Sequence, residues 1–164
     1  MRVIPDYARA HVLEMVDSRG LQYHWRIPAQ MMAEWDGWTV QWSNQLDPAL
    51  SFSVRVPGWR VMVINMAAPL LDQRVAIAHH MAHAILRHPY GLDIYGMERG
   101  PDDDAADLLA AFILLPRAGL SVAEDIRTVA ERCDVPAWVV ERRAAEVRER
   151  TLVEEVRGWR GDFM

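Results

Sequence analysis

Between Asp6 and Arg19 the apolar side chains fall at Ala8, Val12, Met15 and Val16 with polar residues between them, the spacing of an amphipathic helix that Gly20 stops. Leu21 to Ile27 then reads as a short extended stretch. Beyond Pro28 the period drops to two. Trp38 to Trp42 alternates large and polar residues, Leu50 to Val56 alternates again, and Trp59 to Asn65 is rich in β-branched residues, with Pro57-Gly58 as the turn between the last two. From Pro69 the helical period returns in Val75, Ala78, Met81, Ala82 and Ile85, until Pro89 closes it. A second apolar helix runs from about Asp102 to Leu115 and ends at Pro116. Two short charged helices follow, Ser121 to Cys133 and Pro136 to about Arg150, joined at Asp134-Val135. Ser121 with Glu124 forms a capping box, and Pro136 suits a first helical position. The pattern predicts an α+β fold: an N-terminal helix, a small three-stranded sheet against the helix that precedes Pro89, and a C-terminal helical group. Residues 1–118 read as the main domain and 119–164 as a helical extension.

A length of 164 residues, 51% hydrophobic and 25% charged, suits one compact domain or a domain with a small appendage. No apolar run reaches the length of a membrane span, and Met1-Arg2-Val3-Ile4-Pro5-Asp6 lacks the apolar core of a signal peptide, so no membrane is expected and the expected location is cytoplasmic. Cys133 is the one cysteine, which excludes an internal disulfide and a cysteine-rich cluster. Any metal must therefore sit on His and carboxylate. The net charge of -5 disfavours nucleic acid as a partner, and residues 141–160 mix six Arg with five Glu, unlike a DNA-reading face. All 18 basic residues are Arg, a bias of genomic composition more than of physics.

Four of the six histidines, His79, His80, His83 and His88, fall within ten residues. At about 100° per residue, His79 and His83 lie one turn apart on one helix face and His80 lies 60° beyond His83, so the three are expected to face one way. A histidine pair at i, i+4 is the geometry from which zinc peptidases take two protein ligands, although such pairs also arise by chance on surface helices. A catalytic zinc needs a third ligand and leaves a fourth position to water. Asp102-Asp103-Asp104 supplies candidates, and Asp107 follows Asp103 at i+4, so one carboxylate can bind metal while the other receives a hydrogen bond from a ligand imidazole. Ordinary capping explains acids at a helix start equally well, and Asp102 fits that role. Glu98 is the alternative third ligand.

Val63-Ile64-Asn65, then Val75-Ala76-Ile77-Ala78-His79-His80-Met81-Ala82-His83, then Asp103-Asp104-Ala105-Ala106-Asp107 through Phe112-Ile113-Leu114-Leu115-Pro116 resemble, in order and spacing, the ImmA/IrrE zinc metallopeptidases. Val129 to Pro136 is similar to the downstream helix pair of that family, so the resemblance covers most of residues 60–145. It implies a zincin-like fold and one Zn2+ per chain on His79, His83 and Asp103, with Asp107 orienting a ligand. It also implies a cytoplasmic endopeptidase that cuts a helix-turn-helix repressor of a phage, mobile element or stress regulon. Two positions depart from the pattern: Asp103 is one methylene shorter than the usual Glu, and His80 stands where the family has its general base. Neutral imidazole is a base near pH 7, so His80 is the catalytic candidate. A bulky ring beside a dication is also discouraged from protonating. The competing reading is a pseudopeptidase that binds its protein partner without cutting it.

Of the five tryptophans between Trp25 and Trp59, about three are expected in the core. Trp59 to Asn65, or a neighbouring strand, is a candidate edge for an extended peptide. Tyr90, Tyr95 and His88 follow the histidine helix as candidate donors to an oxyanion. His11 and His24 read as incidental, and Cys133 as packed.

Overall fold

The computed structural model describes residues 3–46, 51–96, 100–116 and 125–161, with side chains through residue 152. The fold is α+β. Among the described residues the helices are α1 (Asp6–Ser18), α2 (Ala29–Trp35), α3 (Leu70–Ile85), α4 (Asp103–Leu114), α5 (Ile126–Cys133) and α6 (Ala137–Gly161). The strands are β1 (Thr39–Ser43), β2 (Ser51–Val56), β3 (Trp59–Asn65) and β4 (Gly91–Tyr95). They form one mixed sheet in the order β1-β3-β2-β4, with β1 parallel to β3 and the other pairs antiparallel. None of the described helices is long and apolar enough to cross a membrane.

Three expectations need correction. Among the described residues the sheet has four strands, not three, because Gly91–Tyr95 pairs with β2. Its alternation is short and its apolar positions Leu92 and Ile94 point outward, so it does not announce itself as a core strand. Leu21 to Ile27 is not extended: Leu21–Tyr23 forms a 3₁₀ turn, and Leu21 and Ile27 are buried at either end of exposed residues, without the alternating burial of a strand. β3 lies between β1 and β2, so Trp59–Asn65 itself offers no free edge, whereas its neighbouring strand β1 does; the edges are β1 and β4. The short helix α2 is a further element beyond those the pattern predicts, with Ala29, Met32 and Ala33 at helical spacing. The Ser121 capping box lies outside the described residues.

The hairpin from β2 to β3 turns at Pro57-Gly58 with Val56 paired to Trp59, and Gly58 takes φ +80°, which a residue with a Cβ rarely adopts. α3 packs against α4, and Ala78 and Ala82 on the first and Ala106, Ala110 and Ala111 on the second are all fully buried small side chains, which suit a close helix approach. α1 adds Ala8, Val12 and Val16 to this core, while α5 and α6 add Val129, Cys133, Val139 and Val140.

The tryptophans largely contradict the core expectation. Of the five, all among the described residues, Trp38 is the buried one, at 3% exposure. Trp25 and Trp35 lie under the guanidinium groups of Arg132 and Arg19, with the guanidinium carbon 3.8 and 4.8 Å from the ring centroid. The physical reason lies partly in the sheet. Its β2 and β4 face toward α3 carries Ser51, Ser53, Arg55 and Asp93, while Val56, Trp59, Leu92 and Ile94 stand exposed on the other face.

Candidate metal centre

Three elements bring four donors together. α3 supplies His79 and His83 one turn apart, with Nε2 of the two rings 3.0 Å from each other. The first turn of α4 supplies Asp103, whose Oδ1 lies 3.4 Å from His83 Nε2 and 3.9 Å from His79 Nε2. β4 supplies Asp93, whose Oδ1 lies 3.8 Å from His83 Nε2. One ligand atom from each residue lies within 4.8 Å of the others, with both histidines buried and both aspartates half-buried. This His79, His83, Asp93 and Asp103 group could hold a metal ion. Two imidazoles bound tetrahedrally at 2.0–2.1 Å place their nitrogens about 3.3 Å apart, close to the spacing of His79 and His83.

Each donor is held from behind. His79 Nδ1 donates to Asp107 Oδ1 at 2.8 Å, which leaves the neutral ring's Nε2 as a lone pair facing the donor group. Arg142 Nη2 lies 3.7 Å from Asp107 Oδ2 and helps hold that carboxylate in place. His83 Nδ1 meets His88 Nδ1 at 2.8 Å. That contact exists because the chain turns sharply after α3: Arg87 takes φ 59° and His88 N–H bonds back to His83 O, folding His88 over the helix end. Arg55 on β2 fixes the same loop by donating to the carbonyls of His88 and Pro89. Asp103 Oδ2 accepts from Gly100 N–H at 2.7 Å. Partners of this kind fix tautomer and orientation in metal sites. Asp107→Asn is therefore expected to weaken binding of a divalent metal by about ten- to a hundredfold. Competition against a chromophoric chelator measures this, and unchanged affinity would leave Asp107 a packing role only.

His80 departs from the expected common direction. One residue beyond His79, it turns from α4 toward the sheet: Nδ1 lies 2.7 Å from Asp93 Oδ2 and Nε2 lies 3.3 Å from Ser51 Oγ. A carboxylate only accepts, so Nδ1 carries the proton and the lone pair on Nε2 receives the Ser51 hydroxyl. Its side chain is wholly buried. Of the loop candidates, Tyr90 is exposed, Tyr95 lies against His79 with ring centroids 4.6 Å apart, and His88 is engaged with His83. Glu98 lies outside the described residues. His11 pairs with Asp36, His24 is exposed, and Cys133 is buried. Sequence reasoning missed Asp93; its one signal is an acid between outward apolar neighbours, Leu92 and Ile94.

Burial lowers the basicity of His80 and His88 and brings His83 down to about 4. Burial alone would raise Asp93, but the His80 hydrogen bond and the surrounding imidazoles outweigh it and bring the carboxyl down to about 2. At neutral pH His83 is thus neutral and Asp93 ionised, the forms that bind metal. A folded-state His83 pKa below the unfolded value means that the unfolded chain binds the proton first, so stability falls as pH drops from about 6.5 to about 4. The metal-free protein is expected to lose up to about 3 kcal/mol there. Urea midpoints across that range check it, and a flat profile that His83→Leu leaves unaltered would refute it.

Comparison with known proteins adds no identification: no family model matches the chain, and no curated protein matches it.

Proposed function

We propose that this chain is a zinc-binding domain of the ImmA/IrrE type that acts by holding a protein partner, with a helix-turn-helix repressor the partner that the resemblance implies, and that it does not cut that partner. Two imidazoles with carboxylate oxygens suit zinc, which takes mixed nitrogen and oxygen sets more readily than magnesium or calcium does. His79, His83 and Asp103 would hold the ion, and Asp107 would orient His79. Zinc bound there supplies a Lewis acid and a rigid link between α3 and α4.

The observation that carries the non-hydrolytic reading is the placement of His80. A general base must reach the proton it takes. His80 is wholly buried and its lone-pair nitrogen faces Ser51, away from the donor group. Burial also disfavours its protonation. A protein partner agrees with the exposed Val56, Trp59, Leu92 and Ile94 on the outer sheet face, since contiguous apolar surface marks protein contacts. The net charge of -5 weighs against nucleic acid.

The test takes native chain purified without chelators or a metal-affinity column, measures its metal by elemental analysis, and mixes it with a panel of helix-turn-helix repressors. About one zinc per chain and a repressor that co-elutes and stays full-length are the expected results. Cleavage that disappears in His79→Ala would overturn the non-cutting reading. One observation favours hydrolysis as a second reading: Asp93 Oδ1 faces the donor group as a base would. Cleavage would then also disappear in Asp93→Asn.

A further inference from the structure

Nothing in the spacing of the histidine helix and the acidic helix calls for Asp93, yet three neighbouring elements converge on it. We propose that Asp93 is a fourth protein ligand that closes the metal site, and that His80 is the residue that positions it there. This rests on the metal-binding reading above and says what kind of site it is.

The sheet aims Asp93. In the register of β2 and β4 it lies opposite Ser53, so it points to the face that carries Ser51 and Arg55 and packs on α3. Its two oxygens divide the work: Oδ1 looks to His83 Nε2 at 3.8 Å, and Oδ2 accepts the His80 Nδ1 proton at 2.7 Å. His80 is itself tied to β2 by Ser51. The arrangement mirrors the one on the opposite side, where Asp107 fixes His79. With His88 behind His83 and Gly100 behind Asp103, all four donors have a partner on the atom that faces away from the common centre, while the other atom faces it.

A catalytic zinc keeps one position open, whereas a structural one is closed by four protein ligands. His79, His83, Asp103 and Asp93 make four. The histidine at the family's base position thus has a role that the position alone does not suggest: it hands the fourth corner of the site to a strand. The metal then clamps α3, α4 and β4 together and leaves no coordination position for water.

Cobalt(II) loaded into the metal-free native chain reads this directly, because its visible spectrum responds to an added ligand only where a coordination position is open. The native spectrum is expected to be unmoved by azide. Asp93→Ala and His80→Ala are expected to make it azide-sensitive, with His80→Ala lowering cobalt affinity by about ten- to a hundredfold. His80→Asn, which keeps an N–H near the place of Nδ1, is expected to restore azide insensitivity, a rescue that a packing role would not produce. A native spectrum that shifts with azide overturns the closed site and leaves the metal reading standing. No cobalt uptake by the native chain overturns both. Should a variant fail to fold, the native response to azide still decides.

Discussion

On the zinc site proposed above, His83→Ala is expected to abolish tight zinc binding and, with it, most of the stabilisation that bound zinc would confer. Structural zinc binds small domains with roughly 10–16 kcal/mol, or about 3 kcal/mol for each of four ligands, so losing one ligand weakens binding by about a hundredfold or more. His83 carries more than an average share, because Asp93 and Asp103 both face its Nε2 and His79 Nε2 sits 3.0 Å away. Free metal at a thousand times its dissociation constant stabilises the folded state by about 4 kcal/mol. For a chain of 164 residues that corresponds to a rise in Tm of roughly 10 °C. Melting curves with and without zinc should therefore separate for the native chain, and for His83→Ala the separation should shrink to about a third of the native one or less. A variant that keeps the native separation would show that the ion does not depend on His83.

The elements that local periodicity defines were legible in the chain. α3 and α4 follow from apolar spacing, and the β2–β3 turn follows from Pro57-Gly58. Spacing and resemblance point to His79, His83, Asp103 and Asp107, and the structure brings these four within reach of one another. What stayed illegible depends on pairing between distant segments. Asp93 enters the site because β4 adds to the far side of β2, and no local pattern tells a strand which neighbour it will choose. The direction of His80 is hidden in the sequence for a related reason. A helical wheel fixes its angle to His79 and His83, but only the presence of Ser51 on one side and α4 on the other decides which of two neighbouring directions faces the sheet. Size alone predicts the tryptophans inward, whereas the sheet reserves part of its inner face for Ser51, Ser53, Arg55 and Asp93.

Glu146→Ala is expected to cost about 3–5 kcal/mol of stability, because it strands two cations at once, the buried Arg143 and the half-buried Arg9. Arg9 of α1 and Arg143 of α6 both donate to the Glu146 carboxylate, which is 4% exposed. Their guanidinium carbons also lie 4.5 and 4.8 Å from the centroid of the Phe112 ring of α4, so charge and stacking bind three helices at one point. Burial brings the Arg143 pKa down to about 10 even with Glu146 beside it, a sign of how much desolvation the carboxylate offsets. Glu146→Gln should lose most of the same stability despite its shape, since the missing quantity is charge. Replacing the three residues together by Met and Leu should recover much of it, since well-packed apolar side chains often substitute for a buried ion cluster. The effect should extend to the metal site. Arg143 also donates to the carbonyls of Leu115 and Pro116 at the end of α4, and Arg142 reaches Asp107 Oδ2, so α6 sets the position of the helix that carries Asp103. Urea unfolding and zinc titration of Glu146→Gln should then weaken together. A stable variant with weakened zinc binding, or an unstable one with native affinity, would show instead that α6 and the metal centre are independent.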